Sequence, residues 1–527
     1  MLITAITGYI CASLPSARAK VCEAHLFLIA ACVFLLSAAG LAQAEIRVGF
    51  AERDISPEIG MEQPADYFKI RHTAFHDACK ARAVVFDDGN QQVALVGVDL
   101  GSITRELVME CRVEIENACG LPASGILIGA SHTHSGGQID MIQPGDFDHA
   151  PPLIRKLAYT YSPVSDPKYV AIVRKGIVDA VVEAHAKRQA LTVGFGKGHE
   201  DKVSFNRRIR MKNGLTYTFP SQGNPDISPE GYAGPIDPEV GVVGVWDAHD
   251  HLTGCIVNFA CHATCAPGGI SADYIYYIER TIRSVFGEHV VMIFLSGAAG
   301  DITPLDNLSD EVFRGGDESA QFVGGRVGAE AIKVLYSIRP RVTDVKLDAL
   351  TQMLTIPRRK PSEKRLAAAY ELVKSHDPAV QGFTNDWIWA KETVVLDAII
   401  KKQPTASVEV QAIQVGPAVV VANPAEYFVQ YALDIKKNSD FPFTWVVTLA
   451  NGYCGYVPTE EAFGPRGGGY ETRLTSYSNL HVAAGTRIAE ASKSLIEQLT
   501  PQPLPRPDKP RKFQGAWPYG NVPPQRE

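Results

Sequence analysis

Two histidines, His132 and His134, stand one residue apart in ILIGASHTHSGG, residues 126–137. An apolar strand runs into them and a glycine pair follows. Successive side chains of an extended segment face opposite ways, so both imidazoles are expected on one face with Thr133 on the other. Two imidazoles this close suit a metal ion, or a metal with a base beside it. A neutral imidazole is a good zinc ligand, and its titration near neutral pH lets a second one carry protons. The plainer alternative is two neighbouring histidines on the surface or in the core.

Four other apolar runs also end in reactive groups. CIVNFA leads into Cys261 and His262, and VVMIFLSG leads into Ala298, Ala299, Gly300 and Asp301. AVVVAN leads into Pro424, Ala425 and Glu426, and WVVTLA into Asn451, Tyr453 and Tyr456. In open α/β sheets ligands gather beyond the carboxyl ends of strands. Five such ends meeting in one pocket would present two or three histidines, a carboxylate and a tyrosine, the inventory of a catalytic zinc site with one open position. Singly, each has a structural reading. His262 can be a hydrogen-bonded core histidine, Glu426 an acid in the first turn of a helix, and Tyr453 and Tyr456 core aromatics. Residues 297–301 can be a tight turn, since a lone glycine-rich turn is weak evidence for phosphate binding.

The elements that must position these groups alternate from Glu45 to about Leu499 with no linker between large domains. Helical apolar spacing covers residues 168–188, 272–287, 318–338 and 362–375, and a final helix is expected over 476–499. VEVQAIQVG and AVVVAN read as a hairpin around Gly416 and Pro417. The expected fold is mixed, layered α/β: a β-sheet core with flanking helices. No eightfold strand–helix alternation supports a barrel, in which His132 and His134 would both ligate.

Arg18 and Lys20 precede the uncharged apolar run 26–41, and Ala42-Gln43-Ala44 fits a cleavage site. The run is short for a membrane span, which takes about 20 apolar residues. A signal peptide over 1–44, cleaved after Ala44, is expected, with an uncleaved anchor as the alternative; the protein is then secreted or periplasmic. A hydrolase domain over 45–500 and an extended Pro-rich tail over 501–527 complete the expected layout. A net charge of −7 and the absence of an evident basic patch set nucleic acid aside as a partner. Seven cysteines follow residue 44, an odd number without CxxC spacing, and Cys111 with Cys119 is a candidate disulfide in an oxidising compartment.

Together HTHSGG, NFACHAT, GAAGDITP, NPAEY and NGYCGYVPTEE resemble, in order, the neutral/alkaline non-lysosomal ceramidase family over its N-terminal catalytic domain. FNRR, residues 205–208, resembles the family's substrate-binding segment. The resemblance implies a zinc ion held by His132, His262, Glu426 and Tyr456. It implies His134 as proton carrier, with Arg207, Tyr470 and the hydroxyl of Thr303 as substrate-facing groups. Thr303 stands where the family has serine, HTHSGG is two residues shorter than the family loop, and the family's C-terminal immunoglobulin-like domain is not expected after the tail. The implied reaction is zinc-dependent hydrolysis of an N-acyl amide in a small-molecule or lipid substrate, ceramide-like lipids first, with peripheral membrane contact compatible with it. An esterase or amidase on a non-lipid substrate and a non-catalytic binding protein on the same fold remain open, as do the oligomeric state and the acyl chain. Asp301 is a candidate to orient a ligand histidine.

Overall fold

One device recurs in each of the three large sheets: an edge pair of parallel strands joined by a crossover helix, with antiparallel strands beside it. The computed structural model describes residues 45–311, 315–504, 515 and 517–527. The expected leader lies outside the described residues. In the first sheet Ile126–Ala130 pairs parallel to Gln92–Val98, followed by Lys80–Asp87, Arg47–Asp54 and Gln189–Ala190. Parallel neighbours need a crossover, here the helix Arg105–Cys119, whose Thr104 side chain caps the Leu107 amide and whose end is turned by Gly120 at φ 77°. In the second sheet Val291–Ser296 pairs parallel to Leu252–Phe259 across the helix Tyr274–Phe286, then come Glu239–Trp246 and Thr192–His199. In the third, Phe443–Val447 pairs parallel to Ala418–Ala422 across the helix Val429–Lys437. The hairpin expected at Gly416 and Pro417 joins Ala418–Ala422 to Thr405–Val415, which pairs with Leu347–Pro357.

The parallel strands are apolar without alternation because both faces are covered. Leu95 and Leu127 of the first sheet, Ile256 and Leu295 of the second, and Val420 and Trp445 of the third share one buried cluster. Gly97 allows the first two sheets to close up: a Cβ there would sit 2.4 Å from the Phe294 carbonyl oxygen. The opposite face of the first sheet is covered by Pro167–Ala186, which buries Tyr169, Val173, Ile177, Ala180, Val181 and Ala184, spaced along one helical stripe.

Beyond the strand ends the loops are stitched to one another. The Asn451 amide donates to the Ile128 carbonyl at 2.9 Å, and its side-chain oxygen accepts from the Ile128 amide at 3.0 Å. The Thr448 amide reaches the Ser296 carbonyl at 3.0 Å, and the His134 amide the Ala263 carbonyl at 3.1 Å. Three sheets thereby end at one place.

Some expectations are corrected. The final helix is Ala484–Gln498; residues 476–483 instead form a turn in which the Asn479 side chain donates to the Thr475 and Ser476 carbonyls. Cys111 and Cys119 are free thiols. Both lie on the helix Arg105–Cys119, where eight residues at a rise of about 1.5 Å separate them by roughly 12 Å, beyond disulfide reach. Residues 501–504, 515 and 517–527 contain neither helix nor strand. Among the described residues no helix is long and apolar enough to cross a membrane.

Candidate active site

His132 and His134 are brought together, but by a bend rather than an extended strand. The strand ends at Ala130, and the Ser131 amide donates to the Val98 carbonyl at 2.9 Å. His132 then takes φ 66°, a left-handed conformation strained for a residue with a Cβ. Leu449 at φ 55° and Asn451 at φ 61° bend the loop after Phe443–Val447 in the same way. The rings of His132 and His134 end 4.9 Å apart edge to face, and those of His132 and His262 4.5 Å apart.

Each buried imidazole is oriented from behind. His132 Nδ1 donates to the Gly101 carbonyl and His262 Nδ1 to the Ala299 carbonyl, both at 2.6 Å. In each ring that leaves Nε2 facing the cluster, the arrangement by which outer hydrogen bonds fix a ligand histidine. The orienting group for His262 is thus a carbonyl of the GAAGD loop and not Asp301. The Asp301 carboxylate accepts instead from the Val429 amide and from Asn206 Nδ2, both at 2.9 Å, because the loop turns it toward the helix Val429–Lys437.

Glu426 and Tyr456 are placed by backbone register. The short strands Ala425–Tyr427 and Gly455–Val457 pair in parallel with Glu426 opposite Tyr456. Gly300 packs flat on this pair; a Cβ there would lie 2.4 Å from the Glu426 carbonyl oxygen. The Tyr453 hydroxyl donates to Glu426 Oε1 at 2.8 Å. Oε2 lies 3.3 Å from His132 Nε2 and 3.5 Å from His262 Nε2.

Arg207 follows Asn206, whose strand pairs with Ile302–Thr303, and it ties the cluster to the remaining tyrosines. Its guanidinium is 2 % exposed and pairs at 2.8 Å with Glu471, which is fully buried. It also donates to the Gly300 carbonyl at 2.7 Å, to the Tyr456 hydroxyl at 3.1 Å and to His262 Nε2 at 3.2 Å. The Tyr456 and Tyr470 hydroxyls are 3.0 Å apart. Tyr470 reaches this point after a turn in which Gly468 and Gly469 have φ 125° and 95°. Thr303 is buried on the strand beside Arg207, with Oγ1 3.5 Å from the Leu305 amide. It is not among the walls of the cavity described next.

That cavity, about 360 Å³, has His132, His134, Glu426, Tyr453, Tyr456 and Tyr470 at its base. Tyr67, Trp389 and Tyr477 form aromatic walls, with Asp66, Asp140 and Glu392 also facing it. Sequence reasoning missed Glu471, Tyr67, Trp389 and Glu392. Glu471 was legible only as the neighbour of Tyr470. Trp389 and Glu392 lie on the helix Asn385–Lys402, which is buried nearly all round and so has no amphipathic stripe to reveal it.

Burial penalises charge at every group here. It pulls His134 well below the usual histidine range, helped by the two other imidazoles. It brings His262 down to about 3, with Arg207 and His132 adding to the effect. At His132 burial is outweighed by the Glu426 carboxylate, and the imidazole is raised. At Glu426 burial is likewise outweighed, by His132 and His262, and the carboxyl falls well below its usual range. Burial and the neighbouring carboxylate push Tyr453 and Tyr456 up. The result is an ionised carboxylate, neutral imidazoles at His134 and His262, and at His132 a ring whose protonated form that carboxylate favours. His132 Nε2, His134 Nε2 and Glu426 Oε2 are buried polar atoms without a hydrogen-bond partner. Orphaned polar atoms are rare in protein interiors. Ring nitrogens of His132, His134 and His262 lie within 4.8 Å of one another, a group that can hold a metal ion. His262 is the one whose lone pair is already engaged, by Arg207.

No sequence-family model matches the chain. Its structure is similar to that of neutral ceramidase from Pseudomonas aeruginosa, with a TM-score of 0.63 and 21% identity over 88% of this chain and 77% of that one. It is also similar to a ceramidase complexed with C2, with a TM-score of 0.61 and 19% identity over the same shares. The chain has the neutral-ceramidase fold.

Proposed function

We propose that this chain is a zinc-dependent hydrolase of N-acyl amides, with ceramide-like lipids as its leading substrates, acting outside the cytoplasm if the leader over 1–44 exports it. The observation that carries the reading is the trio of orphaned buried atoms, His132 Nε2, His134 Nε2 and Glu426 Oε2, at the base of a cavity. Anionic carboxylate oxygens and neutral imidazole nitrogens are the donors zinc takes. His132, His262, Glu426 and Tyr456 would hold the ion, as the family resemblance implies. Bound there, zinc supplies hydroxide at neutral pH and polarises a carbonyl.

The chain's own residues account for the rest. Tyr453 fixes one oxygen of Glu426 so that the other faces the imidazoles. As the amide carbon becomes tetrahedral, negative charge grows on its oxygen. The Tyr470 hydroxyl lines the cavity as a donor for that charge, while Arg207, held by Glu471, supports Tyr456 and His262 from behind and adds its positive charge nearby. His134 is neutral and partly buried at the cavity base, placed to take up a proton and give it to the leaving amine. The aromatic walls exclude water from the reacting bond.

A second reading keeps this machinery and changes the substrate. The cavity lies at the small end of ligand pockets and carries Asp66 and Asp140, which favour a compact amide bearing an amine or hydroxyls. Hydrolysis assays on N-acyl sphingosines, other N-acyl amines and simple esters, with and without a chelator, separate the two. Chelator-sensitive cleavage of N-acyl sphingosines is expected; cleavage of small amides or esters alone selects the second reading, and no cleavage of any of them defeats both.

A further inference from the structure

The net charge of −7 hides a cationic patch beside the cavity mouth. Arg358, Arg359 and Lys360 follow the strand Leu347–Pro357, and Lys364 and Arg365 lie in the first turn of the helix Glu363–Ser375. Arg359 grips the loop that brings Arg473 to them, donating to the carbonyls of Thr472 at 3.1 Å, Ser478 at 2.9 Å and Leu480 at 2.9 Å. Arg365 reaches the Leu474 carbonyl of the same loop at 3.4 Å. These partners are neutral carbonyls, so the bonds order the side chains without cancelling their charge. Among the described residues none of the six cations forms an ion pair. The nearby carboxylates are committed elsewhere: Glu392 binds the Ser476 hydroxyl and lies 3.2 Å from Lys391, and Glu471 holds Arg207. Glu363 sits at its helix N-terminus, where the dipole favours it. Arg359 is lowered to about 10, chiefly by burial and secondarily by Arg365.

The patch continues into aromatic surface. The Arg473 guanidinium lies 4.2 Å over the Trp389 ring, and Trp389 meets Tyr67 edge to face at 5.3 Å; both rings line the cavity. Phe68, next to Tyr67, stacks on Phe383 at 5.0 Å. Phe383 is 42 % exposed and the nearby Val380 84 %. A collar of uncompensated cations beside exposed apolar side chains matches an anionic lipid surface, which attracts the first and admits the second.

We infer that this face docks the cavity mouth onto an anionic membrane, with Lys360, Lys364, Arg365 and Arg473 toward lipid phosphates and Val380 and Phe383 entering the interface. The choice of a membrane over another polyanion rests on the reading of the cavity as a lipid site; the charge pattern does not. Docking there would let an N-acyl lipid leave the bilayer past Tyr67 and Trp389 without crossing water.

Co-sedimentation with vesicles tests this on the full chain without substrate turnover. The protein should bind phosphatidylcholine vesicles containing phosphatidylglycerol far better than phosphatidylcholine alone, and lose that preference as salt is raised. At about a fivefold loss per surface cation, the triple variant Lys360→Gln/Lys364→Gln/Arg365→Gln should bind mixed vesicles on the order of 100-fold more weakly. Should the variant unfold, the salt series on the wild type decides alone. Equal binding to both vesicle types, binding to neither, a folded triple variant that binds like wild type, or tighter binding to duplex DNA than to mixed vesicles overturns the inference. Vesicle binding with no cleavage of any N-acyl lipid defeats the proposed reaction and keeps the surface; cleavage of dispersed substrate without vesicle binding does the reverse.

Discussion

Glu426 has one oxygen fixed by Tyr453 and the other turned toward His132 and His262. A carboxylate so divided already has the orienting bond that a metal ligand would need. Tyr453→Phe removes that bond and leaves the ring, so zinc affinity should fall about 10- to 100-fold, measured by competition with a chromogenic chelator, with the fold intact. Arg207 and Glu471 test the donors in the same way. Their ion pair is buried, and Glu471→Gln leaves a buried guanidinium without its counter-charge. Denaturant unfolding should show a loss of about 3 kcal/mol, and kcat should fall more than KM rises. The four implied ligands and His134 were legible as residue types at strand ends. Glu471 was not, because a buried counter-ion is defined by its partner and Arg207 lies over two hundred positions away in the chain. Nor was the bend at His132, since the i, i+2 spacing fits an extended strand as well as the left-handed turn observed.

At the scale of elements, the five apolar runs could be read as strands because both their faces are buried. The helix Asn385–Lys402 could not, because Lys391, Glu392 and Asp397 face inward among its apolar residues and break the helical stripe. The stitching of strand ends also has no sequence signal, yet it sets where His132, His262, Glu426 and Tyr456 stand. Asn451 joins the first and third sheets, bonding Ile128 and, through its amide nitrogen, Gln411 at 2.7 Å. Asn451→Ala loses both side-chain bonds and puts alanine at φ 61°, so it should cost about 3 kcal/mol by denaturant unfolding. A loss below 1 kcal/mol, roughly the worth of one hydrogen bond, would show the stitching to be incidental. The helix Arg105–Cys119 carries its two cysteines too far apart to join. Thiol labelling of denatured, unreduced protein should therefore find both Cys111 and Cys119 reactive; blocked thiols at both would contradict the helix.

Across the whole molecule, charged groups buried between sheets and helices hold the layers in place. Glu279, on the helix Tyr274–Phe286, is 2.6 Å from Lys80 and also pairs with Arg82 and Arg283, joining that helix to the first sheet. Burial would raise its carboxyl, but the three cations outweigh burial and hold it at about 2 against an unfolded value of 4.5. A depressed folded value stabilises above the unfolded one and is lost as pH falls through the folded one. Glu279 should thus contribute about 3 kcal/mol at neutral pH, fading between pH 4.5 and 2. Asp99, raised by burial beside Arg82, works in the opposite direction, so the test is a difference. The gap in unfolding free energy between wild type and Glu279→Gln should shrink as pH drops below 4.5; a gap constant with pH would refute the assignment. The layered α/β class was legible in the alternation of elements, but the meeting of three sheets was not, because it depends on glycines such as Gly97 whose role is the space they leave.

The central claim is that His132, His262, Glu426 and Tyr456 hold one metal ion that the reaction needs. Metal analysis of purified wild type and of Glu426→Gln, paired with hydrolysis of an N-acyl sphingosine by the same samples, tests it most directly. The account predicts zinc in the wild type at one ion per chain, and loss of zinc and hydrolysis together in the variant. A variant that still hydrolyses without zinc, or a wild type that is active when stripped of metal, would contradict it.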